Sequence, residues 1–404
     1  MHDKLTEAQT TALKKFVEQH LHANLAQLAL KKNLVSGLEN RFVLNQIYGA
    51  KKAKTKLPFL FNTPKVLYPA KVSVEQSTSQ RVAEWKAQLI SGASLLDMTG
   101  GFGVDSFFFS KQVAKVVYIE AQSDLFQVVQ HNLQLLKATT IETLNTNSTD
   151  FLKNTKEHFD WIYLDPARRD SQGNRKIGLA DYLPNILEIK TLLFQKGRKI
   201  LLKTSPMLDI QQAVQQLGTV SKIWIIAVQN EVKELLFLLD ATTDISTKRP
   251  LLECVNLKKE TGEFIYQPSS IANKELNYAL PKKYLYEPNA AILKAGLFKE
   301  IAIDFGLDKL HPNTHLYTSD SLIEEFPGRI FICEATLAYQ RKLIAPYLKN
   351  QQANIATRNF PYTVAQMKKK LKIKDGGVSC LFGVRLIDET LKILVCRKVG
   401  AIEK

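Results

Sequence analysis

The chain lacks three kinds of sequence feature that would indicate a membrane protein, a zinc- or disulfide-stabilised protein, or a secreted protein. It contains no run of about 18 apolar residues, so we expect no membrane-spanning helix. Its four cysteines form no Cys-x-x-Cys pair and have no histidine cluster beside them, which argues against a zinc site or a disulfide framework and favours a reducing compartment. The charged amino-terminal residues lack the apolar core of a signal peptide, and we therefore predict a cytoplasmic protein without a metal.

Negative charge is scarce relative to positive charge. The 404 residues include 55 lysines and arginines against 39 aspartates and glutamates, which gives a net charge of +16 and a pI near 9.4. Folding does not require such an imbalance, and the commonest partners of a basic protein are polyanions such as nucleic acids. A negatively charged membrane surface is the alternative partner.

The pattern of apolar residues changes along the chain and predicts four domains. Apolar positions first recur every three or four residues, as in helices, and short apolar strands then alternate with amphipathic helices. That alternation is typical of a mostly parallel sheet covered on both faces. The predicted domains are a helical domain at residues 1–88, an α/β domain at 89–242, and two small α+β domains at 243–325 and 326–404.

A glycine-rich turn follows the first predicted strand of the α/β domain. The stretch LLDMTGGFGVDSFFF places Asp97 at the strand end, then three glycines, then a helix. Glycine lets the backbone approach a ligand closely, and ligands of open α/β sheets bind beyond the carboxyl ends of the strands. The turn is not a P-loop, because Gly-Lys-Ser/Thr is absent, and Ser106 stands where the dinucleotide fingerprint needs a third glycine. An S-adenosylmethionine site and a purely structural turn are the readings that remain.

Acidic residues follow the next predicted strands. Glu120 ends the second strand, where a carboxylate can accept two hydrogen bonds from ribose hydroxyls. Asp150 is expected at the end of the third strand and Asp165 at the end of the fourth. Each acid could instead cap a helix or lie in a solvated loop. Together with Asp97, however, they form a set of four at strand ends, which favours the S-adenosylmethionine site.

The residues at these strand ends resemble a known family. Asp-x-x-x-Gly-x-Gly is similar to the first motif of class I S-adenosylmethionine-dependent methyltransferases. Together, EQSTSQRVAEWKAQLISGASLLDMTGGFGVDS, IYLDPARRD and YLYEPNAAILKAGLF resemble a bacterial group that joins this catalytic domain to a ferredoxin-like domain and a carboxyl-terminal THUMP-like domain. A more distant similarity links Asp-Pro-Ala-Arg-Arg to the cap-guanine-N2 (trimethylguanosine synthase) family. The resemblance implies a Rossmann-like class I methyltransferase sheet, with an amino-terminal helical domain and small α+β carboxyl-terminal domains.

The resemblance also implies S-adenosylmethionine as the cofactor and assigns residues to it. In the family, the acid after the third strand binds the adenine amino group and the next residue flanks the ring. The residues expected to hold the cofactor are Asp97, Thr99, Gly101, Phe102, Gly103, Glu120, Asp150 and Phe151.

The end of the fourth strand is predicted to carry the chemistry. Methyl transfer is an in-line displacement, and hydrogen-bond acceptors at both N–H groups of a conjugated amine would orient its nitrogen. Asp165 and Pro166 match the Asp/Asn-Pro-Pro-aromatic motif of amino-methyltransferases, whereas Ala167 and Arg168 replace the second proline and the aromatic residue. A different ring would therefore have to stack on a base. Arg168, which we place among the catalytic residues, and Arg169 either bind phosphate or pair with nearby aspartates.

Two further polar stretches are expected at the same edge of the sheet. LLKTSP, which includes Lys203, ends the fifth strand, and QNEVKEL at residues 229–235 reads as a polar turn. Either stretch could line the substrate cleft or cap a helix.

Lysines are concentrated near the carboxyl terminus, in the stretch that carries the THUMP-like resemblance. These side chains could contact RNA phosphates or form a solvated face. The predicted RNA-binding residues are Lys368, Lys369, Lys370, Lys372, Lys374 and Arg169.

The sequence therefore predicts an S-adenosylmethionine-dependent methyltransferase that acts on a base nitrogen of structured RNA, either ribosomal or transfer RNA. Two alternatives remain. One is a non-catalytic RNA-binding assembly factor with a retained methyltransferase core, against which the intact acids argue. The other is a methyltransferase of proteins or small molecules, in which the basic charge would be incidental.

Overall fold

The computed structural model describes residues 5–167, 178–240, 249–258, 262–269 and 275–400. The chain divides into two compact units. The first is Met1–Lys222 with Leu235–Pro250, and the second is Ile223–Glu234 with Leu251–Lys404. The four-domain division stays a prediction. None of the helices within the described ranges combines the length and the apolar character that a bilayer crossing requires.

Helices fill the amino-terminal part of the first unit, as the sequence predicts. Their bounds are α1 Glu7–His20, α2 Leu25–Ala29, α3 Asn40–Lys56, α4 Pro58–Phe61, α5 Lys71–Gln76 and α6 Gln80–Ala87. A capping box between Thr6 and Gln9 begins α1 by satisfying backbone N–H groups that have no partner within the helix. Leu13, Val43 and Ile47 belong to the buried cluster that holds the first three helices together.

Strands and helices then alternate along the chain. Their bounds are β1 Ser94–Asp97, α7 Val104–Phe109, β2 Lys115–Ile119, α8 Ser123–Leu135, β3 Ile141–Leu144, α9 Ser148–Asn154, β4 Phe159–Leu164, α10 Ile186–Lys196, β5 Gly197–Thr204, α11 Ile210–Leu217, β6 Val220–Val228, β7 Glu231–Asp240, β8 Leu251–Leu257 and β9 Glu263–Tyr266. Most residues of the central strands β1, β4 and β5 are buried, because both faces of the sheet are covered.

Among the described residues, this sheet has nine strands in the order β3-β2-β1-β4-β5-β7-β6-β8-β9. The pairs β3–β2, β2–β1, β1–β4 and β4–β5 are parallel, and β7 pairs antiparallel with β5. The first five strands follow the Rossmann-like order, which confirms the predicted fold class. Their parallel direction brings the carboxyl ends of β1, β2, β4 and β5 to one edge of the sheet.

The stretch from 229 to 235 differs from its sequence-based reading as a polar turn. Only Gln229 and Asn230 form the turn, with φ values of 51° and 66°, and Glu231 already begins β7. A two-residue hairpin loop with positive φ at both positions matches the right-handed twist of the strands it joins. The polar residues Glu231 and Lys233 therefore belong to a strand rather than to a cleft-lining loop.

The second unit contains a further sheet. Its elements are β10 Tyr284–Pro288, α12 Ala290–Ala295, α13 Glu300–Asp304, β11 Asp308–His311, β12 Thr314–Ser319, β13 Gly328–Ala338, α14 Arg341–Ile344, β14 Asn354–Arg358, α15 Val364–Leu371, β15 Ser379–Arg385 and β16 Leu391–Lys398. Within the described residues it has seven strands in the order β11-β12-β10-β13-β16-β15-β14. Neighbouring residues of β16 enter different buried clusters, Leu394 with Cys396 in one and Ile393 with Val395 in the other, so both faces of the sheet are covered.

A buried polar cluster, formed by Thr78, Lys86, Asp105 and Tyr163, lies inside the first unit. The Lys86 side chain is 0% exposed, and its Nζ lies 3.2 Å from Asp105 Oδ2 and 3.1 Å from the Tyr163 hydroxyl oxygen. The Tyr163 and Thr78 hydroxyls donate to the same Asp105 oxygen, at 2.7 and 2.8 Å. The charges are thus paired and hydrogen-bonded, as charges in a protein interior must be.

We expect Lys86→Met to lower the free energy of unfolding by about 3 kcal/mol or more, because it leaves the Asp105 carboxylate buried without its ammonium partner. Urea unfolding monitored by circular dichroism measures the change. Lys153→Met is the control: this lysine lies exposed on α9, and the variant should stay within about 0.5 kcal/mol of the wild type. Equal stabilities of the Lys86 and Lys153 variants would contradict this account of the cluster.

Candidate functional site

The turn between β1 and α7 is shaped by Asp97. This carboxylate is only 1% exposed. Its Oδ2 accepts a hydrogen bond from the Ser106 hydroxyl at 2.5 Å, and its Oδ1 accepts one from the Thr99 backbone N–H at 3.0 Å. Burial raises the pKa of Asp97 to about 7, although both hydrogen bonds act in the opposite direction. Asp97 therefore fixes the turn from inside.

At two of the three positions in this turn, glycine is required because a neighbouring side chain occupies the space that a Cβ would need. A Cβ at Gly100 would lie 2.1 Å from the Tyr118 ring, and one at Gly103 would lie 2.7 Å from Val129 Cγ1. Gly101 is different, because it has φ +52° and the nearest atom to its Cβ position is the Thr99 carbonyl oxygen at 3.7 Å. The turn is thus packed from behind at Gly100 and Gly103 and open at Gly101, where a ligand could approach the backbone.

Phe102, which the sequence analysis places among the cofactor-binding residues, has a buried side chain. Its side chain is 7% exposed and packs toward Tyr68, with 6.5 Å between ring centroids. The Phe102 ring therefore belongs to the core, and the backbone is the part of this residue that a cofactor could contact.

Glu120 directly follows β2 and closes the turn from the side. Its Oε2 accepts from the Gly101 backbone N–H at 3.1 Å, and its Oε1 accepts from the Gln122 backbone N–H at 2.8 Å. Burial raises the pKa of Glu120, and these backbone hydrogen bonds counteract the shift. Each carboxylate oxygen has a second lone pair, so the residue could still accept hydrogen bonds from two hydroxyls.

Asp150 and Phe151 lie in a helix rather than at the end of a strand. β3 ends at Leu144, and the Asn147 side chain caps α9 by accepting from the N–H groups of Thr149 and Asp150 at 2.9 and 3.1 Å. Because this asparagine turns the chain into the helix, Asp150 is an exposed residue of the first turn of α9. The predicted strand end was wrong, while the role of Asp150 stays a prediction.

Asp165 directly follows β4 and is held at two points. Its backbone N–H donates to the Thr99 hydroxyl at 2.6 Å, and its Oδ2 forms an ion pair with Lys203 Nζ on β5. The Asp165 side chain is 37% exposed, whereas that of Lys203 is 10% exposed. Thr99 thus joins the glycine turn to the end of the fourth strand, and the structure brings Thr99 and Asp165 together at one edge of the sheet.

The residues after Asp165 are described only in part. Pro166 is buried, and Ala167 forms an isolated antiparallel bridge with Leu183. Arg168 and Arg169, which the sequence predicts near the substrate, lie outside the described residues.

The sequence did not reveal the polar residues beneath Asp165. Lys203 Nζ also donates to the Thr78 hydroxyl at 3.4 Å, which connects the ion pair to the buried polar cluster. Burial by itself raises the pKa of Asp105. The ammonium groups of Lys86 and Lys203, together with the hydrogen bonds from the Tyr163 and Thr78 hydroxyls, outweigh burial and hold the pKa below its ordinary value. One signal was available: Lys86 stands four residues after Val82, on the apolar side of helix α6.

The predicted RNA-binding lysines of the second unit lie on and just after α15. Lys368 is half-buried and pairs with Asp375 at 2.5 Å, so its charge is partly compensated. Lys370 lies over the rings of Tyr339 and Tyr362, with 4.5 and 5.3 Å from Nζ to the ring centroids. The exposed lysines of the group are Lys369, Lys370, Lys372 and Lys374.

Among the described residues, no group of three or more histidine, cysteine, aspartate or glutamate side chains is placed so that it could hold a metal ion.

Three family models match parts of the chain. The model described as conserved hypothetical protein 95 matches residues 66–221. A ferredoxin-like domain matches residues 284–327, and a THUMP domain-like model matches residues 328–398.

Individual proteins are similar over most of the chain. The crystal structure of a protein assigned as a methyltransferase from Porphyromonas gingivalis W83 is 30% identical, has a TM-score of 0.85, and is matched over 98% of this chain and 100% of its own. An uncharacterized S-adenosylmethionine-dependent methyltransferase of Mycobacterium tuberculosis, found in strains CDC 1551 / Oshkosh and ATCC 25618 / H37Rv, is 24% identical over 309 residues. That match covers 75% of this chain and 80% of the relative.

The site and these similarities agree. The parallel sheet supplies an open turn at Gly101, a carboxylate beside it at Glu120, and a second carboxylate at Asp165 on the same edge. The chain belongs to the family of class I S-adenosylmethionine-dependent methyltransferases that carry a ferredoxin-like and a THUMP-like domain.

Proposed function

We propose that this methyltransferase acts on a base nitrogen of structured RNA, ribosomal or transfer RNA, in the cytoplasm. The observation that carries the choice of a nitrogen is the partly exposed Asp165 carboxylate at the end of β4, in the position where amino-methyltransferases orient an amine. The choice of RNA is supported by the match to a THUMP domain-like model, by the exposed lysines of α15 and by the net charge of +16.

S-adenosylmethionine, when bound, supplies an electrophilic methyl carbon on a sulfonium centre. In our proposal the backbone of the glycine turn, including Gly101, Phe102 and Gly103, lies against the cofactor, with Asp97 and Thr99 keeping the turn in shape. Glu120 accepts hydrogen bonds from the ribose hydroxyls, because its oxygens keep lone pairs beyond those used by Gly101 and Gln122. Asp150 would bind the adenine amino group, with Phe151 beside the ring.

Asp165 then orients the acceptor. A carboxylate oxygen that accepts an N–H of the substrate amine fixes the nitrogen and favours the developing positive charge on it. Pro166 stiffens the backbone directly after this carboxylate. Arg168 and Arg169 are proposed to bind substrate phosphate, and Arg168 stands where amino-methyltransferases carry a stacking aromatic residue.

The direct test of the substrate is mass spectrometry of modified nucleosides in total RNA from cells with and without the protein. One methylated nucleoside should disappear in the deletion and return with the wild-type gene. Unchanged nucleosides would contradict an RNA substrate, and methylated proteins or small molecules would then be sought.

Asp165→Ala should lower the rate of methyl transfer by at least about 1,000-fold, because the acceptor loses its orienting carboxylate. Binding of S-adenosylhomocysteine should stay within a few-fold, since Gly101 and Glu120 are intact. Transfer of a radioactive methyl group to RNA from the deletion strain and calorimetry measure the two quantities. Asp124→Ala, at an exposed residue of α8, is the control for loss of a carboxylate. Full turnover of the Asp165 variant would remove this residue from the chemistry.

Glu120→Ala should raise the dissociation constant of S-adenosylhomocysteine about 100- to 10,000-fold, because two hydrogen bonds to a charged acceptor are lost and each is worth about 1.5–3 kcal/mol. Calorimetry measures the constant. Glu142→Ala on the neighbouring strand β3 is the matched control, since Glu142 is exposed. An unchanged constant for the Glu120 variant would place the ribose elsewhere.

The triple variant Lys369→Glu/Lys372→Glu/Lys374→Glu should weaken binding to total RNA and reduce the salt dependence of the binding constant, because fewer counterions are released. Filter binding at several salt concentrations measures both. The triple variant Lys15→Glu/Lys31→Glu/Lys32→Glu changes the net charge equally at exposed residues of the first unit and serves as the control. Equal weakening by both triple variants would show a general charge effect and no specific contact by the lysines on and just after α15.

A further inference from the structure

We propose that Lys203 is a positioning residue for methyl transfer, which fixes the Asp165 carboxylate so that one oxygen faces the acceptor amine. The proposal rests on the proposed function, in which Asp165 orients that amine. Lys203 acts through Asp165 and does not itself contact the acceptor, because the Lys203 side chain is only 10% exposed whereas that of Asp165 is 37% exposed.

The backbone N–H and one carboxylate oxygen of Asp165 are bonded within the protein, and the other carboxylate oxygen is left for the substrate in our proposal. The backbone N–H is bonded to the Thr99 hydroxyl, and Oδ2 is paired with Lys203 Nζ. Among the described residues, Oδ1 accepts no hydrogen bond. An aspartate on a strand end rotates about its side-chain bonds unless a partner fixes one oxygen, and Lys203 supplies that partner. In this proposal the remaining oxygen, Oδ1, is the one that accepts the N–H of the substrate amine.

Lys203 is itself fixed from below. Its Nζ donates to the Thr78 hydroxyl at 3.4 Å, and this hydroxyl donates its proton to Asp105 at 2.8 Å. Asp105 is in turn paired with the fully buried Lys86. Carboxylates and ammonium groups therefore alternate from Asp165 to Lys86, and each polar hydrogen named here has an acceptor. Because the Thr78 hydroxyl fixes the Lys203 ammonium group, that ammonium group can in turn hold the Asp165 carboxylate in one orientation.

Stability alone is a poor reason for this arrangement. Apolar residues of similar size are often as stabilising as a buried ion pair, or more so. The Asp165 carboxylate is 37% exposed, so water can solvate it without Lys203. What the lysine does supply is a fixed charge next to the carboxylate that faces the substrate, and a misplacement of about 1 Å at such a group can lower a rate about 100-fold.

The experiment compares Lys203→Met with the wild type. The variant should transfer methyl groups to total RNA from the deletion strain with a kcat lowered about 100-fold, whereas KM and the dissociation constant of S-adenosylhomocysteine should change less than about threefold. Lys203→Arg keeps the positive charge and should recover part of the lost rate. Lys199→Met is the matched control, because Lys199 lies on the same strand four residues earlier and is exposed.

A double-mutant cycle distinguishes positioning from a general structural effect. If Lys203 acts through Asp165, Lys203→Met should have almost no further effect in the Asp165→Ala background, which has no carboxylate left to position. Additive losses in the double variant, or a wild-type kcat in Lys203→Met, would overturn the proposal while leaving the methyltransferase activity itself in place.

A crystal structure of Lys203→Met gives a readout that needs no RNA substrate. We expect the Asp165 carboxylate to adopt several orientations, or a rotated one, with the backbone of β4 unchanged. A single carboxylate orientation equal to that of a wild-type crystal would overturn the role of Lys203. Failure of the wild type to methylate any RNA would count against the proposed substrate, and this structural comparison would still decide the role of Lys203.

Discussion

Two contacts tie Asp165, at the end of β4, to the rest of the first unit. The Thr99 hydroxyl accepts the Asp165 backbone N–H, and Lys203 pairs with one carboxylate oxygen. The first contact connects the end of β4 to the turn after β1, so the proposed cofactor turn and the proposed catalytic strand end share one hydrogen bond. The pair with Lys203 connects Asp165, through the Thr78 hydroxyl, to the buried Asp105 carboxylate of the first unit. The arrangement of the site therefore depends on interactions below the surface.

The glycine turn shows how strongly the interior constrains this edge. Tyr118 occupies the space of a side chain at Gly100, and Val129 does so at Gly103. The Tyr118 hydroxyl also donates to the Gly101 carbonyl oxygen at 2.7 Å, which holds the open part of the turn. Two of the glycines are thus required by packing, and the sequence pattern that resembles a cofactor motif is in large part a pattern of close contacts between the turn and the core.

The basic charge of the second unit is only partly available to a partner. Glu287 is 2% exposed and pairs with both Arg329 and Arg358. Lys368 pairs with Asp375. The exposed lysines on α15 and directly after it are among the side chains whose charge faces solvent. The count of lysines and arginines therefore overstates the charge that RNA could meet.

The sequence determined the class of the fold, the order of its strands and helices, and the positions of Asp97, Glu120 and Asp165 at or directly after strand ends. These features follow from apolar periodicity and from local turn chemistry, which act over a few residues. It did not determine that Asp150 lies in a helix, that Phe102 points into the core, or that residues 231–235 form a strand. Only the tertiary structure decided that Lys203 pairs with Asp165 and is connected through Thr78 to Asp105 and Lys86. Their partners are distant in the sequence, and whether a charged side chain is buried depends on what the rest of the chain packs around it.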